Sequence, residues 1–141
     1  MNHHVSCLLE SSGYPHYFIA ERWKIKMKRY CLILELKEKF TDDYCDIHRN
    51  PWPELLDSIK ENGAKELLIW NYKNLSIVYY ECEDIDVLYE KLNKLEVTKK
   101  WNATVGPWLR ESLPIDSEGK FITCEKIFDL NQQLEGKLEQ L

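Results

Sequence analysis

Apolar and polar residues alternate along RYCLILEL (29–36). Tyr30, Leu32, Leu34 and Leu36 fall on one face, with Cys31 and Ile33 on the other. A period of two predicts a β-strand, and two largely apolar faces predict that both are covered. KELLIWNY (65–72) and LSIVYYEC (75–82) read the same way, joined by Lys73-Asn74, a connection suited to a hairpin. KFITCEKIFDL (120–130) is the last expected strand.

Helical patterns lie between these runs. Thr41 is read as an N-cap with Asp42 and Asp43 in the first turn, opening a helix towards Asn50 that Pro51 and Pro53 break. PELLDSIKEN follows, with Leu55, Leu56 and Ile59 as its buried stripe and Gly63 as its stop. Asp84 is the expected cap of a helix carrying Ile85, Leu88 and Leu92, and a further helix is expected over 96–105, around Trp101. A Pro- and Gly-containing loop runs to Gly119, and the tail NQQLEGKLEQL is polar and weakly helical.

The order is the split βαβ, or ferredoxin-like, arrangement of the α+β class. It predicts a four-stranded antiparallel sheet with helices on one face. Leu68, Trp70 and Tyr72 alternate with Leu67 and Ile69, so the second face is apolar too and requires a cover. A second copy related by a two-fold axis is the simplest one, which predicts a homodimer with sheets packed face to face.

At 141 residues there is room for one core. Residues 1–26 sustain no helix or strand period, and Met27 opens the first clear strand. The expected organisation is therefore an appended extension over 1–26, a domain over 27–130 and a polar tail over 131–141. His3, His4 and His16 receive no functional weight. The net charge of −5, with both signs mixed along the chain, argues against a nucleic-acid partner. No apolar run approaches the roughly 20 residues that cross a bilayer, so no membrane partner is expected. The five cysteines include no CxxC pair. They read as buried free thiols of a cytoplasmic, reducing compartment rather than as a metal site, which requires clustered ligands.

One histidine, His48, lies within the domain. Tyr44 precedes it by four residues, so both project from one side of the first helix. With Pro51, Trp52 and Pro53 just beyond, they resemble one wall of a pocket. Imidazole exchanges protons near neutral pH, and a phenol holds a sugar hydroxyl. On spacing alone such a pair serves packing more often than catalysis. Trp70, Trp101 and Trp108 supply indole faces suited to a sugar ring, the alternative being that they are core. Cys45 and His48, three apart on a helix with no orienting group, make a poor nucleophile pair.

The stretches MKRYCLILELKE, YCDIHRNPWPELL and NGAKELLIW, with the closing EKIFDL, resemble the L-rhamnose mutarotase family from Met27 to about Leu130. The specific part is Tyr-x3-His-x3-Trp-Pro-Glu. The resemblance implies a dimeric α+β barrel and catalysis of anomer exchange, with no cofactor and no metal. It places the catalytic histidine on His48, the sugar-contacting helix tyrosine on Tyr44 and the first tryptophan of a late aromatic pair on Trp101. Trp70 is taken as a further substrate contact. Two positions depart from the pattern: Asn102 replaces the second tryptophan of the pair, and Leu67 replaces a tyrosine on the second strand. The expected activity is α/β interconversion of L-rhamnose or a related 6-deoxy sugar by general acid/base ring opening. The rival readings are a cofactor-free oxygenase or haem-handling protein on the same fold, with His48 as axial ligand, and a non-catalytic sugar-binding module.

Overall fold

The computed structural model describes residues 26–139. The expectations for the leader, including His3, His4 and His16, lie outside them. Strand β1 (Lys28–Glu35) leads through a short 3₁₀ turn, Glu38–Phe40, into helix α1 (Thr41–Arg49). Helix α2 (Pro53–Glu61), the hairpin β2 (Glu66–Tyr72) and β3 (Leu75–Cys82), then helices α3 (Ile85–Leu92), α4 (Glu96–Val105) and α5 (Leu130–Glu139) complete the chain.

Local chemistry accounts for most boundaries. Asp84 caps α3, its carboxylate accepting the backbone N–H groups of Asp86 and Val87 at 2.9 and 3.2 Å. Gly63 ends the turn after α2 at φ +119°, where a Cβ is disfavoured. Thr41 is not the N-cap. The 3₁₀ turn feeds α1 directly, so Thr41 is already helical and no side chain caps that end.

The strands form an antiparallel sheet in the order β1-β3-β2, with Leu32 opposite Val78 and Ile69 on the other flank of Val78. Parity sorts the side chains. Ser76, Val78, Tyr80 and Cys82 of β3 are buried beneath the helices, joined by Leu32, while Ile85, Leu88 and Leu92 of α3 pack against them. A smaller cluster of Leu36, Tyr44 and Val105, flanked by Trp101 and Trp108, ties α1 to α4.

The expected four-stranded sheet is corrected to three strands among the described residues. The segment after Gly119 reaches β1 through one backbone bond, Cys124 N–H to Cys31 C=O at 2.7 Å. Its neighbouring donors are taken elsewhere, Phe121 N–H by the Asp86 carboxylate and Ile122 N–H by the Pro114 carbonyl. Of its apolar side chains Phe121 packs on Tyr89, 4.2 Å between ring centroids, whereas Ile127 is 87% and Phe128 66% exposed. The same arrangement leaves Cys124 exposed, against the expectation of a buried thiol, whereas Cys82 is buried and Cys31 and Cys45 are half-buried, all four free. The polar tail is helical, as expected.

Candidate active site

Between the sheet and helices α1, α2 and α4 lies an open cavity of about 780 Å³. Its floor is the helix-facing parity of the sheet, Leu34, Leu67, Ile69, Asn71, Val78 and Tyr80. Helix α1 contributes Tyr44, Cys45, His48 and Arg49, and α4 contributes Thr98, Trp101, Asn102 and Val105. The α4 spacing is i, i+3, i+4, i+7, one stripe of a helix.

His48 and Tyr44 come together as expected. The rings lie 4.1 Å apart between centroids, tilted by 36°. The Nδ1 of His48 lies 2.6 Å from the backbone carbonyl of Tyr44. A carbonyl only accepts, so Nδ1 carries the proton and donates. In the neutral ring Nε2 is then the basic nitrogen. Burial is the main influence on the imidazole and lowers its pKa; the carbonyl contact opposes it more weakly. The ring is therefore neutral at pH 7, the form a general base requires.

Tyr44 is 3% exposed, and its hydroxyl is 2.7 Å from Ser76 Oγ, itself wholly buried on β3. Burial pushes the phenol pKa up to about 12, with the serine contact pulling back a little. Tyr44 is thus a neutral hydroxyl, locked in orientation from beneath. Trp101 meets His48 edge-on at 5.2 Å between centroids and 85°, and Trp52 meets Trp101 in the same way at 5.2 Å and 89°. Four aromatic rings thus run in sequence, Tyr44, His48, Trp101 and Trp52, each limiting the rotation of the next.

Trp70 is not brought to this site. It pairs with Ile77 on the opposite face of the sheet and is 54% exposed. Its neighbours in sequence, Ile69 and Asn71, line the cavity, and strand alternation sends Trp70 away. Trp108 stacks on Phe40 at 6.3 Å and belongs to the small core cluster. Both departures from the family pattern, Leu67 and Asn102, do line the cavity. Sequence reasoning missed Ser76, Thr98 and the tyrosine pair Tyr80 and Tyr89, whose hydroxyls lie 3.0 Å apart. The signal for Ser76 was a serine at the inward parity of an otherwise apolar strand.

A family model described as L-rhamnose mutarotase matches residues 29–130, which include every cavity residue named above. L-rhamnose mutarotases of two Listeria monocytogenes strains are each 26% identical over 88 residues, 61% of this chain and 84% of theirs. Among solved structures, an L-rhamnose mutarotase from Formosa agariphila aligns with a TM-score of 0.55 at 20% identity, over 73% of this chain and 98% of that one. A Nitrosomonas europaea protein named after antibiotic biosynthesis monooxygenases aligns with a TM-score of 0.50 at 15% identity, over 72% and 91%. The two structural likenesses show a shared fold, which hosts more than one chemistry.

Proposed function

The chain belongs to the L-rhamnose mutarotase family, and on that premise we propose that it interconverts the α and β anomers of L-rhamnose or a related 6-deoxy sugar, with His48 as the proton-transfer residue. The enzyme is an isomerase. The observation that carries the reading is the tautomer of His48: Nδ1 is committed to the Tyr44 carbonyl, leaving Nε2 as the basic nitrogen of a residue that lines a cavity with room for a pyranose.

The reaction follows from that placement. His48 Nε2 takes the proton of the anomeric hydroxyl. The electron pair forms the C1 carbonyl as the bond from C1 to the ring oxygen breaks. The ring oxygen is protonated by the Tyr44 hydroxyl, because even a phenol of pKa about 12 is a stronger acid than a sugar alcohol. Ser76 holds that hydroxyl in register. The aldehyde turns about one C–C bond, and the steps reverse to close the ring on its other face. Trp101 supplies the aromatic wall, and the apolar floor of Leu34, Leu67 and Ile69 suits a sugar bearing a methyl group.

The catalytic unit is the segment over 27–130, working as a homodimer in the cytoplasm. Support for the dimer comes from the outer sheet face, where Ile33, Leu68, Trp70 and Tyr72 are exposed together. A second copy would cover that face and close a dimeric α+β barrel. Among the described residues no helix is long and apolar enough to cross a membrane.

Saturation-transfer NMR on a panel of 6-deoxy sugars tests the activity. Accelerated exchange between the α and β signals of at least one sugar is expected. Sugar binding in calorimetry without any acceleration would replace the enzyme with a binding module.

A further inference from the structure

Among the described residues, Thr98 Oγ1 is the one buried side-chain polar atom with no hydrogen-bond partner. The residue is 7% exposed and forms part of the cavity wall. Helical threonines ordinarily donate to the carbonyl four residues earlier. Thr104, on the same helix, does so, reaching the Lys100 carbonyl at 3.0 Å. For Thr98 the corresponding residue is Lys94, which precedes the N-cap Leu95, and the Leu95 carbonyl, three residues back, accepts the Lys99 N–H instead. The helix start thus leaves this hydroxyl unpaired beside the ligand cavity, an arrangement that costs stability unless a partner arrives.

We propose that Thr98 is a substrate-positioning residue that hydrogen-bonds a ring hydroxyl of the bound aldopyranose, one other than the anomeric hydroxyl. The proposal rests on the sugar reading above. Thr98 stands one turn before Trp101 on the cavity stripe of α4, and Trp101 touches the His48 ring. The imidazole takes the anomeric end, so Thr98 meets a hydroxyl further round the ring. A helical threonine divides its time between two χ1 wells. The contact requires that rotation between those wells turn Oγ1 towards the cavity that the residue lines. A buried hydroxyl without a protein partner discriminates between sugars, because a ligand lacking the matching group leaves it unsatisfied.

Thr98→Val and Thr98→Ser separate the hydroxyl from the packing. Thr98→Val is expected to raise KM for the preferred sugar roughly three- to tenfold with kcat little changed, while the thermal midpoint of the free protein stays level or rises. Thr98→Ser should keep KM near that of the parent. The Thr98→Val penalty should vanish for the monodeoxy sugar that lacks the contacted hydroxyl. An unchanged KM in Thr98→Val, or equal losses in Val and Ser, would assign Thr98 to packing alone and overturn the proposal. Should the parent protein show no anomer exchange, the mutarotase reading is what fails. Calorimetric affinities of parent and Thr98→Val for the same sugars still decide whether the hydroxyl makes the contact.

Discussion

The Nδ1 atom of His48 lies 2.6 Å from the carbonyl oxygen of Tyr44, one turn back along α1. The geometry of a single helix therefore selects the tautomer of the imidazole, while the Tyr44 and Trp101 rings limit its rotation. The residue that supplies the carbonyl also supplies, through its phenol, the site's second proton-bearing group. A substitution at position 44 removes the phenol and leaves that backbone carbonyl in place.

The pH profile should report this placement. Burial lowers the His48 pKa from the ordinary value of about 6.5. The basic form then persists below that pH, and the acid limb of kcat/KM for anomer exchange should have its midpoint below 6.5. Stability follows the same group. Between the folded and unfolded pKa values the unfolded chain binds the proton more readily, so its contribution is intact above about 6.5 and declines as pH falls through that window. A midpoint at or above 6.5 would mean that the ring is better solvated than the structure places it.

Tyr44→Phe and Ser76→Ala each remove one hydroxyl from a buried pair 2.7 Å apart. Each leaves the other hydroxyl unpaired and should cost about 1–3 kcal/mol in urea unfolding. The double variant should cost less than the sum of the single ones, because it leaves no orphaned group. Additive losses would show that the two hydroxyls are not coupled. Tyr44→Phe should also slow anomer exchange, while Ser76→Ala keeps the phenol and loses less.

Trp101 and Trp70 should separate by function. Trp101→Ala removes the ring that meets both His48 and Trp52, and is expected to weaken sugar binding and reduce kcat together. Trp70→Glu places a charge on the outer sheet face, 54% exposed in this chain. It should shift sedimentation towards the monomer without touching the cavity wall. A Trp70→Glu protein that sediments like the parent would argue against the face-to-face dimer.

The hairpin strands and α2, α3 and α4 were legible because their signals are local. Period-two runs meet at Lys73-Asn74, Asp84 caps, Gly63 stops, and a stripe runs through Leu88 and Leu92. The pairing of Tyr44 with His48 was legible for the same reason, since four residues on a helix fix a common side. What escaped depends on long-range partners. The segment over 120–130 has strand composition, but its donors are captured by Asp86 and Pro114 and, past Phe121, its apolar residues Ile122, Ile127 and Phe128 stay exposed. Indole chemistry points Trp70 to the site, yet sheet parity directs it outward. Ser76 and Thr98 are small polar residues whose importance comes from what faces them across the fold, or from what fails to.

His48→Asn is the most direct trial of the central claim, because the amide retains size and a hydrogen-bonding edge but has no titrating nitrogen. Saturation-transfer NMR is expected to show enzyme-catalysed anomer exchange falling by about 10²–10⁴-fold, with the fold intact by circular dichroism and sugar affinity largely kept. Exchange as fast as that of the parent protein would contradict that claim and remove the imidazole from the proton-transfer step.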